Sequence, residues 1–273
     1  MYNFLLYNRL NNKSKLAMQI KHKFLKTDFG TGYITNNAIL DNIPYKPEVL
    51  ILGTFNPDTP NSNFADFFYG RNFFWPAFKN LFTFNSTVLI NRRMSQNGKL
   101  NVDLNPSLSE ILGMCAHLKL TFADLVLEAF HINNAELTFK SNDNIIYKNQ
   151  EFNLIQDSVK NGVGGLEQLD SLGQINWNTL NIINFLKNNP QIHTIYFTRK
   201  PTGIWGREWT RIIKQPEFDK RTFTNIFTPS AQGKPVFHSM SRLLNHWVHN
   251  ENPNFGKLEE QWLISQGVDI NNF

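Results

Sequence analysis

The sequence predicts a three-layer α/β/α sandwich built on a short central parallel sheet. Residues 49–52 form a continuously apolar run, as a strand buried on both faces of a parallel sheet requires. Residues 192–197 and 223–227 read as two further apolar strands. Stretches with helical spacing lie between and after them, and an alternation of strand and helix is the order expected of a doubly wound sheet.

The elements follow in chain order. Residues 1–43 read as a basic N-terminal extension, because Arg9, Lys13, Lys15, Lys21, Lys23 and Lys26 precede the first acid, Asp28. A solvated, frayed terminus, or translation from Met18, accounts for this arm more simply than phosphate tracking. The domain proper is expected over 44–250. Its first strand, 47–53, runs into a loop rich in Asn, Pro and Asp at 56–63. Phe74, Phe78 and Leu81 then recur at helical spacing, with Pro76 in the first turn. The polar stretch 85–107 reads as an insertion, 108–118 as a helix and 121–126 as a further core element. A second insertion spans 131–175, where Gly162, Gly164 and Gly165 mark turns. Helices are expected over 180–186 and 239–249, and the tail 251–273 carries one amphipathic segment at 258–264. Ligands of open α/β sheets bind beyond the carboxyl ends of the strands. The loops after Gly53 and after Phe227 are therefore the places to look.

Composition sets outer limits. With 41% hydrophobic residues and 24 Phe, the chain can bury a large aromatic core, and wholesale disorder is excluded. A net charge of +5 suits a polyanionic partner without demanding one. A single cysteine, Cys115, excludes an intrachain disulfide framework and a thiolate-held iron–sulfur cluster, and points to a reducing cytoplasm. No apolar run is long enough to span a bilayer, and Asn3, Tyr7, Asn8 and Arg9 interrupt any signal-like start. A cytoplasmic protein with no membrane partner is the expectation.

Residues 49–57, VLILGTFNP, followed by 67–75, FFYGRNFFW, resemble the opening of the uracil-DNA glycosylase superfamily. The resemblance is nearest to its mismatch-specific uracil/thymine and hypoxanthine branches. Those branches show a strand ending in Gly-x-Asn-Pro or Gly-Thr-Phe, then an Asn-x-Phe-Trp box that opens a helix. Thr228-Pro-Ser-Ala231 is similar to the turn after the last strand, and residues 195–200 to the strand before the last helix–strand unit. The likeness covers residues 44–250 in matching order. It implies a monofunctional DNA glycosylase that flips a base out of DNA and hydrolyses its N-glycosidic bond, leaving an abasic site. It implies no metal and no organic cofactor, and a monomer is expected.

The chemistry asks for particular groups. As the base leaves as an anion, the sugar becomes oxocarbenium-like, so the enzyme must position water, supply donors to the base and hold the flipped ring. By resemblance Asn56 is the water-positioning amide. Asn72, in the Asn-x-Phe-Trp box, is a second candidate amide and equally suits a helix N-cap. Asp58 is a stronger base nearby. Phe67, Phe68 and Tyr69 offer a stacking surface; Tyr69 is preferred for its hydroxyl, and core packing is expected of two of the three. Ser230 would face the base or a phosphate from the opposite wall, unless it is a turn serine. Gln232 lies where family members wedge the duplex, and Lys234, Arg242 and Arg71 are candidate phosphate contacts.

The pattern departs from the family in two places. The His-Pro pair before the Asn-x-Phe-Trp box is replaced by Gly70-Arg71, and the final turn lacks its Ser- or Asn-rich continuation. Both fall on the pocket wall, so a bulkier base than plain uracil, such as a modified cytosine in phage DNA, is the expected substrate. Two other functions compete: an inert nucleic-acid-binding module on the same fold, and a hydrolase of free nucleosides. His246 and His249 lack a third ligand at matching spacing and read as a solvated helix face. Arg199, Lys200, Arg207 and Arg211 around Trp205 and Trp209 suit either nucleic acid or a cation–π-laced surface helix.

Overall fold

The computed structural model describes residues 16–58, 65–70, 74–85, 106–132, 155–156, 165–228, 240–250 and 254–273. Nine strands are found among them: β1 (Leu16–Lys21), β2 (Ile34–Asn36), β3 (Ile39–Asn42), β4 (Val49–Gly53), β5 (Leu120–Asp124), β6 (Val126–Ile132), β7 (Ile175–Trp177), β8 (Thr194–Phe197) and β9 (Thr222–Asn225). The described α-helices are α1 (Phe74–Lys79), α2 (Leu108–His117), α3 (Gly165–Ser171), α4 (Thr179–Asn188), α5 (Gly203–Ile213), α6 (Met240–His249) and α7 (Glu260–Ser265).

The larger sheet has the order β2-β3-β5-β4-β8-β9. Four consecutive strands, β5, β4, β8 and the edge strand β9, are mutually parallel, and β3 joins β5 antiparallel. Along β4 the side chains alternate between two apolar clusters, with Val49 and Ile51 in one and Leu50 and Leu52 in the other. Phe122 and Ala123 of β5, and Tyr196 and Phe197 of β8, divide the same way. The chain is thus an α/β protein whose mostly parallel sheet is buried on both sides, which is why its strands read as unbroken apolar runs.

The two clusters differ in character. The first gathers α1, α2, α6 and α7 around aromatic rings. Phe122 is at its centre, with Trp75, Phe67 and Phe68 at centroid distances of 5.4, 5.5 and 5.6 Å. The second is chiefly aliphatic and gathers α3, α4 and α5. A smaller antiparallel sheet, β1-β6-β7, adjoins this side and sends Ile20, Ala129 and Ile175 into it. Only Leu125 separates β5 from β6, so the chain turns from one sheet into the other at Asp124–Leu125.

Two expected boundaries are corrected. Residues 16–43 are no loose extension: β1 pairs with β6, β3 joins the main sheet, and Phe24, Tyr33 and Leu40 are core residues. Nor is 254–273 a tail, because Trp262 and Leu263 of α7 pack in the aromatic core and Ile226 bridges Gly256. The expected insertion at 131–175 includes α3 and the start of β7. The remaining elements lie where the periodicity puts them, and Ser107 with Glu110 forms a capping box at the start of α2. Among the described residues, no helix is long and apolar enough to cross a membrane.

Truncating Phe122 leaves its five ring neighbours around a void. Phe122→Ala is expected to lower stability by about 3–5 kcal/mol, read from the midpoint of urea unfolding.

Candidate functional site

Strand order reverses at β4. The chain goes from β4 to β5 on one side and later enters β8 on the other, so the crevice that such a switch point leaves is expected beyond the carboxyl ends of β4 and β8. Thr198, just past β8, closes its floor. Both its backbone N–H and its Oγ1–H donate to Leu52 O, at 3.0 and 3.1 Å. With the Thr198 proton so used, the Tyr69 hydroxyl is the donor in its 2.9 Å bond to Thr198 Oγ1. The Thr228 hydroxyl donates to Thr198 O at 3.3 Å. The end of β4, Tyr69 and the start of the turn after Phe227 therefore meet at one threonine.

Gly53 ends β4 against this floor. A Cβ there would lie 2.1 Å from Asp124 Oδ1 and 2.7 Å from the Tyr69 hydroxyl, so only glycine fits. Tyr69 itself has φ 60°, a left-handed conformation costly for an aromatic residue. Stacking on Phe74 at 4.5 Å and the bond to Thr198 hold it there.

The groups with the most chemistry converge on Asp124, the last residue of β5 and almost wholly buried. Its Oδ2 accepts two hydrogen bonds, from Asn56 Nδ2 at 2.6 Å and from His22 Nε2 at 2.7 Å. His22 is also buried, and its Nδ1 accepts the Phe24 N–H at 2.9 Å. An imidazole nitrogen that accepts carries no proton, so the proton is on Nε2 and points at the carboxylate. The pair stands at ion-pair distance but joins a carboxylate to a neutral ring. Asp124 Oδ1 is buried with no hydrogen-bond partner among the described residues.

Main-chain bonds hold the same three segments. Lys23 N–H donates to Asn56 O (2.7 Å), Asp58 N–H to Lys21 O (2.8 Å), and His22 N–H to Leu127 O (2.8 Å). Leu125 and Val126 N–H donate to Gly53 O and Thr54 O. Asn178, at the start of α4, donates through Nδ2 to Asp124 O at 2.9 Å and to Asn37 O at 2.6 Å. The carboxylate can accept only, so Asn56 must turn its NH2 toward Asp124. Its carbonyl Oδ1 then faces away, as an acceptor for a further donor.

The sequence-based candidates divide accordingly. Asn56 stands in the site, and Tyr69 lines it as a bracing hydroxyl rather than an open stacking face. Phe67 and Phe68 are corrected as base-stacking candidates and are the two of the three that pack in the core: both are fully buried among its aromatic rings. Asp58 is exposed, and the carboxylate bonded to Asn56 is Asp124 instead. Arg242 is exposed on α6. Asn72, Arg71, Ser230, Gln232 and Lys234 lie outside the described residues.

Three site residues escaped the sequence reading: His22, Asp124 and Thr198. For Asp124 a signal existed, since an acid ending an otherwise apolar strand has no packing role.

The Arg–Trp mixture has a different explanation from nucleic acid. Trp205 and Trp209 are buried, and the fully buried Glu208 accepts from Thr179 Oγ1, Arg207 Nε and Arg211 Nη1 at 2.6, 2.7 and 2.7 Å. Arg207 also forks onto Asp170 at 2.6 and 2.8 Å. Burial pushes the Asp170 carboxyl up, but Arg207 and the Trp177 indole more than offset that and leave it lowered. Of the two histidines read as a solvated face, His246 is buried beside Phe227 and Phe255, while His249 is exposed and bonds Phe273 O at 2.9 Å. No group of three or more His, Cys, Asp or Glu among the described residues could hold a metal ion.

Gly53→Ala is expected to push Asp124 and Tyr69 apart and destabilise by about 1–3 kcal/mol, the usual cost of overpacking, measured by urea unfolding. In comparisons with protein-family models, curated proteins and solved structures, nothing matches this chain.

Proposed function

We propose that the chain is a monofunctional DNA glycosylase with the α/β/α fold of the uracil-DNA glycosylase superfamily. One observation carries the proposal: the Asn56 amide is anchored to a buried carboxylate at the strand-order switch, which leaves its carbonyl oxygen free to accept from water. The strand order and the motif spacing add support, since Leu52 at the end of β4, Tyr69 and Thr228 all bond to Thr198 at the switch point.

In the proposed reaction Asn56 Oδ1 orients a water toward C1′ of a flipped nucleotide. The C1′–N bond breaks first, the base takes the bonding pair, and the sugar passes through an oxocarbenium-like state. The water oxygen then bonds C1′ and gives its proton to solvent or to the departing base. An amide is a poor proton acceptor, so the step depends on dissociation and should be slow. A buried carboxylate beside the site disfavours further negative charge and favours the developing positive charge on the sugar. The base class proposed is a modified cytosine rather than plain uracil, on the ground that Gly70-Arg71 departs from the family's sequence pattern.

The test uses oligonucleotides carrying uracil, hypoxanthine, a thymine mismatch or modified cytosines, with alkali to cut abasic sites. Base-specific breaks are expected, and Asn56→Ala should lower the single-turnover rate about 100-fold or more with DNA affinity kept. Salt-sensitive DNA binding without breaks on any substrate would instead establish an inert binding module.

A further inference from the structure

We propose that His22, delivered by the N-terminal strand β1, is a positioning residue of this site: through Asp124 it fixes which way the Asn56 carboxamide faces. The inference rests on the glycosylase reading for its consequence in base release, but not for its geometry.

The main chain already holds the loop that carries Asn56. Lys23 and Asp58 tie residues 21–23 to residues 56–58, and His22 N–H ties β1 to β6, all without a side chain. The imidazole is thus dispensable for closing the loop. An apolar residue of similar volume would pack among Phe24, Phe55 and Phe68, whose rings lie 5.9, 5.9 and 6.0 Å away. Burying a polar ring there is costly unless its hydrogen bonds are used. Both are: Nδ1 accepts from Phe24, which sets the ring, and Nε2–H then donates to Asp124.

The effect falls on one oxygen. Asp124 Oδ2 takes both donors, while Oδ1 has no hydrogen-bond partner among the described residues and lies against Gly53. With only the Asn56 donor present, the carboxylate can rotate about its Cβ–Cγ bond and let water compete for either oxygen. With His22 in place Oδ2 has a fixed position, and the amide has a single place to donate. The carbonyl of Asn56 is then held outward. An orienting partner behind a working group commonly changes its performance without touching substrate.

The experiment compares His22→Leu with His22→Gln, whose Nε2 can reproduce the ring's donor. In solution NMR the Asn56 side-chain amide should be slow to exchange and fixed in one environment in the wild type and in His22→Gln. It should lose both properties in His22→Leu while the remaining core resonances persist. In single-turnover base release, His22→Leu should fall about 10- to 100-fold, with DNA affinity unchanged, and His22→Gln should recover most of the rate. An Asn56 amide unaltered in His22→Leu overturns the proposal, as does an equal loss of rate in both variants. If the wild type releases no base, the glycosylase reading fails, and the amide measurement still decides whether His22 positions Asn56.

Discussion

A carboxylate held out of water at the end of a parallel strand is the constraint around which the rest is arranged. Burying such a charge is expensive, and its hydrogen bonds have to come from whatever segments can reach it. Here the donors are an amide just past β4 and an imidazole just past β1, while Asn178 at the start of α4 holds the backbone carbonyl. Each donor needs its own segment fixed in place. That explains why the β1 strand pairs with β6 directly after the corner at Asp124, and why the loop after Gly53 is laced by backbone bonds to residues 21–23. It also explains the glycine, since the carboxylate fills the space a side chain would need.

The parallel strands were legible because burial on both faces leaves a simple mark, an apolar run bounded by polar residues. The helices of the aromatic core were legible for the same reason, through Phe74, Phe78 and Leu81. What the chain hides is which residues meet across long separations. His22 sits among lysines and reads as part of a basic arm, and no local pattern says that it enters the core 102 positions from Asp124. Asn56 could be found because a strand end followed by Asn-Pro is itself a local pattern. Asp124 lies between two apolar runs that read as one element, and the corner between the sheets is invisible in them.

Aromatic residues show the limit most clearly. A run such as Phe67-Phe68-Tyr69 supplies the same chemistry whether it packs inside or receives a base. The structure separates them by backbone geometry: two rings join the core around Phe122, and the third, on a left-handed residue, turns its hydroxyl to Thr198. The Arg–Trp cluster on α5 teaches the same lesson from the opposite direction. Its charges look free in the sequence, yet the buried Glu208 and the half-buried Asp170 engage Arg207, and Glu208 also engages Arg211.

The long reach of β1 has a consequence for synthesis. The strand leaves the ribosome well before its partner β6, which follows Asp124, 102 residues behind His22. At about 5–20 residues per second, the N-terminal strand waits roughly 5–20 seconds with an unsatisfied edge. Lys21, with Lys15 and Lys23 on either side of the strand, charges that edge and discourages pairing with other chains. Positive charge around β1 thus has a use before the chain has folded, as a guard on a strand that cannot yet close.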